Sequence, residues 1–406
     1  MNKLNKIQIT NFRSSIDTAV SFETNLGALI GVNGAGKTNI LSAIVLLSRA
    51  STSRRRLRDP ELLNKENGTQ TTLNLSLTLE DRIVQVKAQL FYEIDESSEI
   101  IAYSKISYKA PSERSWKQIE SVVFEIPLYL RGEHGISGAG VNERLIKHLS
   151  RRQVKNIELK IQIASYLSNI SYYTATQFSD PSKSPVSLEL EDERVVNSRS
   201  SSKSHEVFLR DLYRAFKKGM PFKKFLNTIG PNGLQLVEDI DFSDYLLPST
   251  SFKVLVGGKI KNIERNKRIV VPSVQVDGLK LSFSQLSEGT FKTLALIFYI
   301  INDESDLLII EEPEVCVHHG LLASIIELIK IQSNKKQILI STHSDFVVDK
   351  LKPEDIILIK KDKKSGTIAT SLEKSMYADD FRFLKDYLEN EGNLGNYWRE
   401  SGFEDE

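Results

Sequence analysis

The stretch GVNGAGKT, residues 31–38, decides the fold of this chain. It fits the pattern G-x-x-x-x-G-K-[ST], in which backbone N–H groups cradle phosphates, a lysine reaches the β- and γ-phosphates and a hydroxyl binds Mg²⁺. Its glycines allow the backbone to approach the phosphates without Cβ clashes. We therefore predict that ATP and Mg²⁺ bind here. The expected contacts are Asn33, Gly34, Ala35, Gly36, Lys37, Thr38 and Asn39.

Three further short motifs follow this loop in a fixed order. They are LSEG at residues 286–289, LLIIEE at 307–312 and STHSD at 341–345. One phosphate-loop pattern can occur by chance, but four nucleotide motifs in this order are very improbable. The set therefore predicts a complete ATP site rather than an isolated glycine turn.

The acidic motif follows a short apolar run, which is typical of a strand buried on both faces. Such a strand delivers Glu311 and Glu312 to the carboxyl edge of the sheet, where ligands of open α/β sheets bind. We predict that Glu311 and Thr38 hold Mg²⁺ and that Glu312 polarises the attacking water. His343 follows a second apolar run and is expected to contact the γ-phosphate. The predicted catalytic residues are thus Glu312 and His343.

LSEG precedes a helical pattern, so its serine and backbone N–H groups lie at a positive helix end. The phosphate loop already holds one side of the nucleotide. Ser287 and Gly289 are therefore expected to complete the ATP site of a second subunit. This predicts a homodimer or a higher even oligomer.

The motif order resembles that of ABC-type ATPases. ITNFRS at residues 9–14 resembles the start of the SMC, RecF and OLD-like ATPases, and IEEPEVCVHH at 310–319 and NLGNYW at 393–398 resemble segments of OLD-like proteins. YYTATQFSDPS at 172–182 is similar to a segment of the Septu-type defence ATPase PtuA. Glu311 stands where ABC-type ATPases usually have aspartate, a substitution that is frequent in OLD-like proteins and keeps the charge. His319 stands where OLD-like proteins usually have proline.

The resemblance implies an α/β fold: an ABC-type P-loop ATPase head with a mixed sheet, an antiparallel β meander and an inserted helical region. It also places Arg13, within ITNFRS, among the nucleotide contacts. The glutamine that ABC-type sites use near the metal is not assigned, because Gln70 and Gln85 both remain candidates and either can be an ordinary surface residue.

Periodicity predicts the elements between these motifs. The expected strands are 3–10, 18–22, 28–32, 72–79, 83–93, 101–108, 307–310, 337–341 and 356–360, with strands also returning from 252. The expected helices are 37–49, 142–169, 204–229, 288–301 and 321–332. The polar stretch before 204, with ELEDER at 189–194 and SRSSSKS at 198–204, is expected to be an exposed or mobile loop. Four segments are predicted: 1–110, an N-terminal lobe with the P-loop and the meander; 111–250, a largely helical insertion with a polar loop; 251–375, a C-terminal lobe with the signature, the acidic strand and the histidine; and 376–406, a helical tail.

Composition narrows the class of protein. The net charge of +1 excludes a global basic field, so any nucleic-acid surface must be local. The arginines after the P-loop helix form either such a surface or a solvated or intersubunit face: Arg49, Arg54, Arg55, Arg56 and Arg58. A single cysteine, Cys316, excludes a disulfide framework and is expected to be buried. The longest apolar run, 294–301, is far below the roughly 20 residues that span a bilayer, so no membrane association and a cytoplasmic location are expected.

Three functions compete at this point. The leading one is an ATP-driven clamp that controls a separately encoded effector, such as a nuclease, in antiviral defence, as the resemblance to OLD-like and Septu-type systems implies. Only 63 residues follow His343, and they carry no nuclease motif, so nuclease activity is expected from a partner. The second is a RecF- or SMC-like repair clamp that acts directly on DNA. A transporter ATPase subunit is disfavoured, because ITNFRS and the IEEPE segment are typical of the SMC-like group.

Overall fold

The computed structural model describes residues 1–52, 57–58, 70–94, 100–111, 113–119, 123, 151–190, 205–254, 260–315, 317, 319–390 and 392–401. The chain forms two compact units. The first comprises Met1–Tyr172, Glu304–Glu314 and Ile326–Glu406, and the second comprises Tyr173–Asp303 and Val315–Ile325. These boundaries differ from those of the four segments expected from motif order, and that division stays a prediction.

The described strands are as follows. They are β1 (Lys3–Phe12), β2 (Ser15–Ser21), β3 (Leu26–Ile30), β4 (Leu57–Arg58), β5 (Gln70–Leu79), β6 (Arg82–Ile94), β7 (Ile100–Lys109), β8 (Lys117–Gln118), β9 (Ile170–Thr174), β10 (Leu188–Leu190), β11 (Asp239–Val254), β12 (Ile260–Val276), β13 (Leu279–Leu281), β14 (Leu307–Glu311), β15 (Gln337–Thr342), β16 (Ile356–Asp362) and β17 (Gly366–Ser371).

The described helices are as follows. They are α1 (Lys37–Thr52), α2 (Arg151–Ser168), α3 (His205–Lys218), α4 (Met220–Ile229), α5 (Glu288–Asn302), α6 (His319–Ser333), α7 (Asp345–Val348), α8 (Leu372–Ser375), α9 (Ala378–Asn390) and α10 (Leu394–Ser401). Short 3₁₀ turns occur at Ala175–Phe178, Pro181–Lys183, Phe283–Gln285 and Pro353–Asp355.

One mixed sheet organises the first unit. Over the described residues its strand order is β4-β7-β6-β5-β1-β2-β17-β16-β3-β15-β14-β9, with β8 beside β7. The strands β16, β3, β15 and β14 are parallel neighbours, and β5, β6 and β7 form an antiparallel meander. The parallel strands β3, β14 and β15 are buried along their whole length, because helices and loops cover both faces. Because these strands are parallel, their carboxyl ends meet at the same edge of the sheet.

The core of the first unit explains where the P-loop helix lies. The apolar face of α1 is fully buried against the sheet, including Ile40, Ile44 and Leu47. Ile163 and Leu167 of α2 belong to the same buried cluster. This packing fixes the first turn of α1, and with it Lys37 and Thr38, at the carboxyl end of β3.

The core of the second unit contains a cluster of aromatic rings in mutual contact. Phe208 of α3 packs edge-on against Phe283, Phe291 and Phe298, with ring centroids 5.5–6.2 Å apart. Tyr173 stacks on Phe178 at 5.4 Å. A small antiparallel sheet, with the order β10-β12-β11 and with β13 beside β12, completes the described part of this unit.

The predicted fold class is confirmed, including the mixed sheet and the meander. One element prediction was wrong, because β11 begins at Asp239 rather than after 250. Residues 170–174 form a strand where none was predicted. The prediction missed β9 because its pattern, ISYYT, has no clear alternation. The polar stretch at 191–204, Cys316, and Arg54, Arg55 and Arg56 lie outside the described residues. Within the described residues, no helix combines the length and the apolarity that crossing a membrane requires.

Candidate nucleotide site

The P-loop connects β3 to α1, and its glycines are required by its backbone. Gly34 and Gly36 have φ values of +81° and +112°, which side chains other than glycine rarely adopt. A Cβ atom on Gly31 would lie 2.2 Å from the carbonyl oxygen of Ile359, and one on Gly36 would lie 2.2 Å from Thr367 Oγ1. The loop is therefore a tightly packed cradle of backbone N–H groups at a helix N-terminus, which is a ready anion site.

Lys37 is buried at the centre of this cradle, with 6% of its surface exposed. Its Nζ donates hydrogen bonds to the carbonyl oxygens of Gly31 at 2.7 Å and Val32 at 3.2 Å. Burial lowers the pKa of Lys37, and the nearby carboxylates of Glu312, Glu314 and Glu311 act in the opposite direction. A phosphate chain bound in the loop would add further negative charge beside this buried ammonium and would favour its charged form.

Glu311 ends β14 and is nearly buried. Thr38 Oγ1 donates a hydrogen bond to its Oε1, and the Tyr172 hydroxyl donates one to its Oε2. Burial raises the pKa of Tyr172, and the adjacent Glu311 carboxylate raises it further, so the phenol keeps its proton. The hydroxyl and the carboxylate that were predicted to bind Mg²⁺ are therefore in direct contact. Mg²⁺ is commonly held by one or two such protein groups together with substrate phosphates.

Glu312, the predicted catalytic base, has a left-handed backbone with φ of +47°. Non-glycine residues in this conformation carry strain and cluster at functional sites. Its N–H donates to the carbonyl oxygen of Ser341 at 3.0 Å, which ties it to β15. His343 Nδ1 lies 3.6 Å from Glu312 Oε1 and 3.6 Å from Glu314 Oε1. The two predicted catalytic side chains are thus neighbours.

Glu314 holds the histidine loop in place. Its Oε1 accepts hydrogen bonds from Thr342 Oγ1 at 2.7 Å and from the His343 N–H at 3.2 Å. Its other oxygen is buried and has no hydrogen-bond partner among the described residues. A buried carboxylate oxygen without a donor is costly, so it suits a site that receives a cation or water.

Arg13 and Asn39 form a second network beside the loop. Arg13 Nη1 donates to Asn39 Oδ1 at 3.4 Å and to Ser42 Oγ at 3.3 Å, and Asn39 Nδ2 donates to Ser14 Oγ at 2.5 Å. Ser14 Oγ lies 2.7 Å from Thr367 Oγ1, which donates to the carbonyl oxygen of Ala35 at 3.2 Å. This hydrogen-bond network links Thr367 of β17 to the P-loop backbone. Arg13 and Asn39 belong to it and therefore help to hold the loop in position.

The signature motif lies in the second unit, at the N-terminus of α5. Ser287 is the N-cap residue, since its Oγ accepts the Thr290 N–H at 3.2 Å. Lys292 is buried and pairs with Glu288 at 2.6 Å, which lowers the pKa of Glu288. The Tyr173 hydroxyl donates to the Lys292 carbonyl oxygen at 3.0 Å. Ser287 and Gly289 are therefore held at a helix end, as their sequence predicts.

The structure brings together the P-loop, both glutamates, His343 and Arg13 within the first unit. The sequence did not predict roles for Tyr172, Glu314 and Thr367, although Tyr172 and Glu314 lie within the segments 172–182 and 310–319 described above.

The Gln70 side chain donates a hydrogen bond to Thr72, and the Gln85 side chain donates one to Ser76. The assignment of the metal-site glutamine therefore stays open. Among the described residues, no group of three or more His, Cys, Asp or Glu side chains is placed to hold a metal ion.

Residues 2–348 match the model of the AAA ATPase domain family, and the chain belongs to that family. Over 90 residues it is 33% identical to the DNA replication and repair protein RecF of Acetivibrio thermocellus, a match that covers 22% of this chain and 23% of RecF. Over 86 residues it is 35% identical to the DNA double-strand break repair Rad50 ATPase of Archaeoglobus fulgidus, which covers 21% of this chain and 10% of Rad50. The matches span at most about a quarter of these relatives.

The fold is similar to that of solved SMC heads. In the structure of the SmcHead bound to the C-winged helix domain of ScpA, the alignment covers 92% of this chain and 99% of the other, with a TM-score of 0.50 and 15% identity. The chain is thus a member of the AAA ATPase domain family whose fold is similar to that of an SMC head.

Proposed function

We propose that this chain hydrolyses ATP with Mg²⁺, that two copies close head to tail around two ATP molecules, and that the closed dimer controls a separately encoded effector in antiviral defence. The observation that carries the hydrolytic part is the arrangement at the ends of β14 and β15. There Glu311 contacts Thr38, while Glu312 is held in a strained conformation beside His343.

Each side chain has a separate role in this proposal. Lys37 and the loop N–H groups bind the phosphates, and Thr38 and Glu311 hold Mg²⁺, which neutralises the charge that develops on the phosphates. Glu312 accepts a proton from the attacking water, and His343 contacts the γ-phosphate. Ser287 and Gly289 at the start of α5 complete the site of the other copy. ATP binding thus closes the dimer, and loss of the γ-phosphate opens it.

Control of an effector rests on the resemblance of the IEEPE, NLGNYW and YYTATQFSDPS segments to OLD-like and Septu-type ATPases. We propose a cytoplasmic location, where ATP is available, and a nuclease or toxin as the effector. Expression of the tagged chain together with the products of its neighbouring genes, followed by affinity purification, tests this role. Copurification with a nuclease whose activity changes on ATP addition is the expected result.

The second candidate is a clamp that acts directly on DNA, and the observation in its favour is the local similarity to RecF and Rad50. The two functions differ in what stimulates hydrolysis. A repair clamp should hydrolyse ATP several times faster when DNA is added to the chain alone. A defence ATPase should respond only when its effector is present.

Ser287→Arg should leave nucleotide binding nearly unchanged and block hydrolysis, because the signature of ABC-type folds reaches ATP only on another subunit and the added bulk and charge would prevent closure. Mixing this variant with Lys37→Ala protein should partly restore activity. In a mixed dimer one composite site carries both lesions and the other carries neither. Normal hydrolysis by either variant as a proven monomer would disprove the head-to-tail dimer.

Tyr172→Phe should weaken the apparent Mg²⁺ affinity of the ATPase about tenfold, because loss of a partner in the second coordination shell commonly costs about 10–100-fold. The change removes only the hydroxyl that bonds to Glu311 Oε2. Mg²⁺ titration of the hydrolysis rate measures it. Tyr377→Phe is the matched control, since that side chain is 85% exposed. An unchanged Mg²⁺ dependence would remove Tyr172 from the site.

A further inference from the structure

A cavity of about 420 Å³ adjoins the P-loop within the first unit. It is lined by the first three P-loop residues, by His343 and Asp345, and by Trp398 and Arg399 of α10. Gly31 and Val32, which line it, are also the residues whose carbonyl oxygens accept hydrogen bonds from Lys37 Nζ. The cavity is therefore shared by the loop residues that hold the lysine and by the predicted γ-phosphate contact, His343.

The helix α10 is fixed in this place by its contact with α7. Gly395 N–H donates a hydrogen bond to Asp349 Oδ1. A Cβ atom on Gly395 would lie 2.5 Å from the carbonyl oxygen of Asp345, so glycine allows the two helices to approach closely. Leu394 is 1% exposed, which anchors the start of the helix. The position of Arg399 is thus set by packing against the segment that directly follows His343.

Bound ATP would add negative charge to a site that already contains three carboxylates. The carboxylates of Glu311, Glu312 and Glu314 all act on Lys37, while ATP itself brings about four negative charges. Arg399 is the arginine that lines the cavity, and its Nε lies 3.0 Å from Asp345 Oδ2. Its Nη2 donates to Asn396 Oδ1 within α10, and its side chain is 61% exposed. A guanidinium has five N–H donors, so these contacts leave donors for a ligand.

We propose that Arg399 is a further contact for the terminal phosphate of the bound nucleoside triphosphate, presented by α10 and oriented by Asp345. This inference rests on the proposed binding of ATP at the P-loop. The planar fork of an arginine matches phosphate oxygens in a bidentate manner, which a lysine cannot reproduce. Arg399 thereby distinguishes the triphosphate from the diphosphate, and loss of the terminal phosphate leaves it with its contacts to Asp345 and Asn396.

The test is calorimetric binding of ATP and of ADP, with Mg²⁺, to the full chain carrying Glu312→Gln to prevent hydrolysis. Adding Arg399→Gln should weaken ATP binding about tenfold or more, as expected for loss of a charge-assisted hydrogen bond, and should change ADP binding less than about twofold. Arg399→Lys should show a smaller loss for ATP, because it keeps the charge but not the fork. Arg382→Gln is the matched control, since Arg382 lies on α9 with a side chain 75% exposed, and it should change neither affinity.

The outcomes separate this inference from the proposed function. If the parent protein binds ATP in a Lys37-dependent manner and Arg399→Gln binds it equally well, the inference is wrong and the ATP site stands. Equal losses for ATP and ADP would show a merely structural role and would also overturn it. If Arg399→Gln does not fold, Arg399→Lys decides, and an ATP affinity equal to that of the parent contradicts the bidentate contact. Failure of the parent protein to bind ATP would overturn both proposals.

Discussion

Lys37→Ala should reduce ATP affinity by at least about 100-fold. The lysine is the buried cation of the P-loop and donates to the carbonyl oxygens of two loop residues that line the phosphate end of the site. Each hydrogen bond to a charged group contributes about 1.5–3 kcal/mol, and tenfold in affinity corresponds to about 1.4 kcal/mol. Loss of two such contacts to phosphate therefore accounts for this effect. Calorimetric titration of the purified variant with Mg²⁺ and ATP measures it.

The control for this variant is Lys224→Ala, since Lys224 is an exposed lysine of α4. It should bind ATP as the unmodified chain does. Circular dichroism and thermal unfolding without nucleotide should match across the three proteins. Unchanged ATP affinity in folded Lys37→Ala protein would refute the assignment of residues 31–38 as the phosphate-binding loop.

Glu312→Gln should bind ATP and hydrolyse it about 10²–10⁴-fold more slowly, which is the usual contribution of a general base. The amide keeps the shape of the side chain but cannot accept a proton from water as the carboxylate does. The backbone strain at φ of +47° and the tie to Ser341 do not depend on the side-chain charge, so the variant should fold normally. Single-turnover hydrolysis with excess enzyme measures the chemical step directly.

Two further variants assign the roles of the neighbouring carboxylates. Glu311→Gln should mainly weaken the apparent affinity of the ATPase for Mg²⁺, because Glu311 contacts Thr38 rather than His343. Glu327→Gln is the control for a glutamate on an exposed face of α6, with a side chain 58% exposed. Near-normal single-turnover rates for Glu312→Gln, with a large loss for Glu311→Gln, would move the base to Glu311.

The ATPase class could be predicted because its motifs are contiguous. The glycines at 34 and 36, Lys37 and Thr38 lie within a few residues of each other, and the loop geometry demands those residue types locally. The two glutamates follow a run of four apolar residues, which indicates a buried strand and hence the sheet edge to which they are delivered. The sequence by itself thus determined the fold class and the ATPase family, and it predicted the main candidate side chains of the site.

Only the tertiary structure showed which distant residues meet at this edge. Tyr172 and Glu311 are 139 positions apart, and Ser14 and Thr367 are 353 apart. No local pattern encodes such pairs, because they arise when β9 lies beside β14 and when β17 lies beside β2. Arg399 lines a cavity with three P-loop residues for the same reason: α10 packs on α7, where a glycine allows close approach. Periodicity and spacing report neighbours along an element, whereas contacts across a sheet follow from the order in which its strands assemble.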